Sequence, residues 1–107
     1  MRTLVFEATH SATTELAAFT LDIKKQQKVT IRALSDRGGT LKTKYVFNDG
    51  KVADDQSVTV GAASESSGVH SNLATLVFDF PTGKINVTFT PADGTTGFTR
   101  VEVISAA

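Results

Sequence analysis

From Leu73 to Thr90 the chain alternates between apolar and polar positions with a period of two, which is the spacing of a β-strand with one dry face. Ala74, Leu76, Phe78 and Phe80 fall on one face, with Leu73, Thr75, Val77 and Asp79 on the other. After Pro81-Thr82-Gly83-Lys84 the alternation resumes, with Ile85, Val87 and Phe89 opposed to Asn86, Thr88 and Thr90. Pro81 pre-sets φ for a turn and Gly83 tolerates positive φ, so the two runs read as a β-hairpin. Keeping both apolar runs on one face predicts Phe80 opposite Ile85, Phe78 opposite Val87 and Leu76 opposite Phe89.

The same period recurs along the chain. Strands are predicted at Thr3–Ala8, Ala17–Lys24, Lys28–Leu34, Thr40–Phe47, Ser57–Gly61 and Phe98–Ser105, which with the Leu73–Thr90 pair makes eight. Phe19, Leu21 and Ile23 share one face, as do Val29, Ile31 and Ala33, and Leu41, Tyr45 and Phe47. Asp36-Arg-Gly-Gly39, Asn48-Asp-Gly-Lys51 and Pro91–Gly97 carry turn residues. In Ser11-Ala-Thr-Thr14 the glutamate of a capping box arrives one residue late, at Glu15. Gly61–Asn72 is small, polar and aperiodic, the longest expected loop and a candidate contact segment. Short strands with a turn every 8–12 residues predict an all-β fold: one domain over 1–107, a two-sheet antiparallel β-sandwich of about eight strands in jelly-roll or Greek-key order.

Composition narrows the function. Thr and Ser supply 24 of the 107 residues, fitting pleated, half-wet surfaces. Eleven basic residues balance eleven acidic ones, against a general nucleic-acid or anionic-membrane binder. Cysteine is absent, so no disulfide or thiol chemistry is available, and the N-terminal MRTLVFEATH has too short an apolar run for a signal peptide.

The candidate chemistry is thin. His10 and His70, the only two histidines, stand sixty positions apart in polar surroundings without further ligands at zinc spacing, and are expected to be solvated loop residues. Asn48, Asp49, Asp54 and Asp55 form an oxygen-rich stretch, but turn chemistry explains Asn-Asp-Gly and the EF-hand spacing is missing. Asn86-Val-Thr88 matches the glycosylation sequon on the outer face of a strand. Asp22, Asp79 and Glu102 fall on wet faces. All seven Phe occupy or adjoin inward positions and Trp is absent, so stacking platforms for sugars or single-stranded nucleic acid are not supplied. No catalytic residue, metal ligand or cofactor is expected, and the chain does not read as an enzyme.

The runs Phe19-Thr-Leu-Asp-Ile23, Lys28-Val-Thr-Ile-Arg32 and Phe98-Thr-Arg-Val-Glu-Val-Ile104, in a small neutral Thr-rich chain, resemble bacteriophage virion accessory proteins of the capsid decoration or head-fibre class. The resemblance implies a non-enzymatic protein made in the host cytoplasm and located on the virion, where it stabilises the shell. Its partner would be a capsid or other virion protein, or a further copy of itself, with no nucleic acid and no membrane. The alternative is a module that recognises a glycan or host surface through loops such as Gly61–Asn72.

Charge suggests where a partner would bind. Residues up to Gly50 carry 8 basic and 5 acidic groups, and the remainder 3 and 6. If the second, third and fourth predicted strands form a meander, Thr20 faces Arg32, Asp22 faces Thr30, Arg32 faces Lys42 and Thr30 faces Lys44. Arg32, Lys42 and Lys44 then share one outer face and form a candidate partner-binding stripe for an acidic surface.

Overall fold

The computed structural model describes residues 2–23, 28–78 and 83–106. Ten strands follow one another: β1 (Arg2–His10), β2 (Leu16–Ile23), β3 (Lys28–Ser35), β4 (Gly39–Val46), β5 (Val52–Val60), β6 (Glu65–Ser66), β7 (Val69–His70), β8 (Ala74–Phe78), β9 (Gly83–Pro91) and β10 (Gly97–Ala106). Eight of them form two antiparallel four-stranded sheets, sheet A in the order β1-β10-β3-β8 and sheet B in the order β2-β9-β4-β5. The molecule is an all-β sandwich. Pairing is nested along the chain: β4 pairs with β5, β3 with β8, β2 with β9 and β1 with β10.

Alternation places the core. Val29, Ile31 and Ala33 of β3, Ala74, Leu76 and Phe78 of β8, and Val101 and Val103 of β10 form the inner face of sheet A. Ile23, Leu41, Val60, Ile85, Val87 and Phe89 answer from sheet B. Lys84, Asn86 and Thr90 alternate with the buried β9 residues as the sequence implies, but Thr88 is buried too, its hydroxyl donating to the Lys42 carbonyl (3.5 Å).

The predicted Leu73–Thr90 hairpin does not form. β8 pairs with β3 in sheet A, with Val29 opposite Phe78 and Ile31 opposite Leu76. β9 lies in sheet B between β2 and β4, with Val87 opposite Phe19 and Thr43. Period-two patterning states which face is buried but not which strand lies alongside. Placing the two apolar runs on opposite sheets buries both, as a hairpin on one sheet would. The turn itself, and the expected Phe80–Ile85 pair, lie outside the described residues.

The β2-β3-β4 meander is also replaced, because these strands alternate between sheets: β3 belongs to A, β2 and β4 to B. Phe47 lies beyond the end of β4 and is 48% exposed, edge-on to Tyr45. β5 begins five residues earlier than the Ser57–Gly61 run suggests. A bulge there sets Asp55 and Gln56 against the single residue Thr43. The Thr43 hydroxyl accepts a hydrogen bond from the Gln56 amide (3.1 Å) and donates to its carbonyl (3.5 Å), replacing the missing ladder contacts. Within Gly61–Asn72 the chain passes beside Ser35, whose carbonyl accepts from the Ala63 amide (2.8 Å), and makes the two-residue hairpin β6–β7 before entering β8.

Phe89 is fully buried at the centre of sheet B, and Gly39 is the close neighbour that makes room for it. A Cβ at Gly39 would lie 2.5 Å from the Phe89 ring and 2.3 Å from the Thr90 carbonyl oxygen. Phe89→Ala is expected to cost about 3–5 kcal/mol, read as a lowered urea midpoint at constant m-value. Gly39→Ala is expected to cost about 2 kcal/mol or more by overpacking, since the Thr90 backbone cannot step aside.

Candidate functional site

β1, β10, β3 and β8 present every second side chain to solvent, and their register brings together residues from both ends of the chain. Glu7 lies opposite Arg100, which lies opposite Leu34. In the next row Val5, Glu102, Arg32 and Thr75 stand side by side. In the row after that come Thr3, Ile104, Thr30 and Val77. Arg100 ties the first two rows together, donating from Nε to Glu102 (2.8 Å) and from Nη1 to Glu7. The Glu102 hydrogen bond and the nearby charge of both carboxylates raise the Arg100 pKa above its ordinary value, and the guanidinium stays charged.

Arg32 differs. It is exposed, and among the described residues it has no ion-pair or hydrogen-bond partner, the Glu102 carboxylate opposite being taken by Arg100. Glu102 and Thr75 stand directly opposite it, Leu34 follows on its own strand, Val77 (39% exposed) and Ile104 lie one row on, and Val5 (47%) lies two strands away beyond Glu102. The exposed Arg32 guanidinium thus keeps free donors in a planar fork that matches a carboxylate.

The other two members of the expected stripe lie elsewhere. Lys42 and Lys44 project from the outer face of sheet B, on the far side of the sandwich from Arg32. Each is held by a carboxylate of this chain: Lys42 by Asp54 (3.2 Å) and Lys44 by Glu15 (3.5 Å). The three cations do not share a face. The proposed like-charge ladder depended on a meander, and the alternation of strands between sheets removes it.

The lysines border a second feature. An extra residue in β2, at Ala18, breaks its register with β9 and opens a shallow hollow of about 340 Å³ on the sheet B surface. Glu15, Thr20, Lys44 and Asn86 line it together with the apolar Ala17, Ala18 and Phe19, and the Thr20 hydroxyl donates to the Asn86 side-chain oxygen (3.2 Å). These side chains offer donors and acceptors suited to a polar ligand such as a sugar hydroxyl.

At one end of the sandwich His10, Thr99 and Ser35 form a buried chain of polar groups. His10 is not the solvated loop residue its sequence context implies: β1 extends far enough to give it the inward parity of Leu4, Phe6 and Ala8. Its Nε2 lies 2.6 Å from the Thr99 hydroxyl, which donates to Ser35 Oγ (3.2 Å). The ring packs against Phe89 and Nδ1 is buried without a partner. Both hydroxyl residues are fully buried, so these hydrogen bonds join β1, β10 and β3 rather than meet a substrate. His70 lies exposed in β7.

In the Asn48–Asp55 stretch, the Asp49 carboxylate accepts from the Lys51 amide (3.1 Å), and Asp54 is occupied by Lys42. The Glu7–Arg100–Glu102 row escaped the reading of the sequence because its members lie 93 positions apart. Their shared wet parity in the first and last strands was the available signal. Thr99→Val is expected to cost about 1–3 kcal/mol, because it leaves His10 and Ser35 without the hydroxyl between them. Comparison of thermal melts with Ser11→Ala, a change at an exposed position, would check this.

Scanned against models of known protein families the chain matches none, and no curated protein sequence matches it.

Proposed function

We propose that this chain is a non-enzymatic structural protein of a bacteriophage particle, a capsid decoration or head-fibre module that attaches through an outer sheet face. The observation that carries the reading is the nested strand order, β1–β10, β2–β9, β3–β8 and β4–β5 divided between two sheets. We read it as a jelly roll, the double-sheet architecture used by viral capsid and lectin domains. Architecture alone is an analogy and leaves the attachment to be argued from surfaces. Arg32, unpaired and with Val77 and Ile104 one row away, supports sheet A as the attaching face and an acidic, partly aliphatic patch of a virion protein as the partner. Lys42 and Lys44 remain candidates on the opposite face, with their charge already offset by Asp54 and Glu15.

The hollow beside the β2 bulge favours a second reading, a module that recognises a host-surface glycan. On that reading the contact lies on the sheet B surface at Asn86 and Glu15 rather than in the Gly61–Asn72 loop.

The two readings separate in one experiment. Gradient-purified particles from the source lysate are probed for the chain. Stripped particles are then re-loaded with wild type, Arg32→Glu, or Lys42→Glu with Lys44→Glu, at low and moderate salt. We expect the chain on the particles, with re-loading weakened at least tenfold in Arg32→Glu and little changed in the double lysine variant. Loss confined to the lysine variant would transfer attachment to sheet B. Absence from particles together with glycan-array binding abolished by Asn86→Ala would replace the virion reading with the glycan one.

A further inference from the structure

A sandwich of two four-stranded sheets has four open edges, here β1 and β8 in sheet A and β2 and β5 in sheet B. Exposed edges invite pairing with other chains, and stable monomers blunt them with bulges, charges, proline or shortness. Two of the four are plainly blunted. β2 carries the bulge at Ala18, and β5 the bulge opposite Thr43 with Asp54 and Asp55 exposed beside it. β1 has neither bulge nor proline, and its charges are Arg2 at one end and Glu7. It runs nine residues in unbroken register with β10, without proline, glycine or lysine, and its inward positions are all apolar from Leu4 to Ala8.

The flank behind this edge is incompletely closed. Leu4 and Phe6 of β1 and Leu16, Ala18, Phe19 and Leu21 of β2 are only partly buried, whereas Val101 and Val103 on the neighbouring β10 are almost wholly buried. Phe6 and Phe19 bridge the two sheets edge to face, with ring centroids 6.3 Å apart. One more strand beside β1 would cover this seam.

We propose that β1 pairs antiparallel with β1 of a second copy about a two-fold axis at Phe6, joining the two A sheets into one eight-stranded sheet. This inference is independent of the particle-binding reading. The strand is complementary to itself in that register. Phe6 faces the other copy's Phe6, Leu4 faces Ala8, Thr3 faces Thr9 and Val5 faces Glu7. Inward positions meet inward positions, and no like charges stand opposite each other. The neighbouring register centred on Glu7 would set that carboxylate against its own copy. A seam about 30 Å long and roughly 15 Å across the two sheets covers on the order of 450 Å² per copy. That is close to the lower limit of about 1,000 Å² in total for a specific interface, so a dimer that dissociates on dilution is expected.

Val5 supplies the test, because it is exposed on the outer face and would lie opposite the second copy's Glu7. Val5→Glu introduces two like-charge contacts about the axis, whereas Val5→Lys introduces two opposite-charge contacts. Sedimentation velocity over a dilution series of the full chain should show wild type passing from monomer to dimer. Association should weaken at least tenfold in Val5→Glu and be kept or tightened in Val5→Lys, with cooperative melting preserved in both. A wild type that stays monomeric to ~1 mM, Val5→Glu associating like wild type, or both variants losing association alike would overturn the proposal. Should Val5→Glu fail to fold, hydrogen exchange on wild type decides. Protection of β1 amides that rises with concentration supports the pairing, and protection independent of concentration refutes it.

Discussion

Every long strand in this molecule has one face that must be kept from water and one that must not, and a single sheet cannot satisfy that demand. Two stacked sheets can, provided consecutive strands are distributed so that each dry face meets another. The dry side chains of β3, β8 and β10 then meet those of β4, β5 and β9, with Ile31, Leu41, Val87, Phe89 and Val101 sealed between them. The rest follows from this layering: bulges where a strand must bend to stay over the core, Gly39 where a backbone must clear the Phe89 ring, and Thr43 where a ladder contact is replaced by a hydroxyl.

Parity was legible in the sequence and adjacency was not. Leu76, Phe78, Ile85, Val87 and Phe89 are buried as their alternation indicates, yet the strands bearing them join different sheets. A tight turn between two alternating runs is equally compatible with a crossing from one sheet to the other, because local patterning carries no information about the lateral neighbour. The surface reading inherited that gap. Arg32, Lys42 and Lys44 do project outward, but from opposite layers, so the stripe they were expected to form has no counterpart. His10 failed for a different reason: the end of β1 was placed two residues early, and strand ends are the least well signalled part of a pattern.

The two outer faces have different characters. Sheet A carries a compact row of alternating charges, Glu7–Arg100–Glu102, next to an unpartnered Arg32 and exposed valines. Sheet B carries threonines, Asn86, Lys42 and Lys44 paired with Asp54 and Glu15, and an exposed Lys84. The neutral total charge conceals this division, since it is the placement of charges on the two layers that separates them.

Nested pairing also determines when each strand can be completed. β4 and β5 are close in sequence and can associate early, but β1 must wait for β10, which comes after all the other strands in chain order. Until then Leu4, Phe6 and Ala8 have no ladder partner. Closing that outermost ladder spans almost the whole chain and carries the largest loop-closure entropy in the fold. β1 therefore depends on the pairing of greatest sequence separation, and until β10 is in place its apolar edge is open to mispairing.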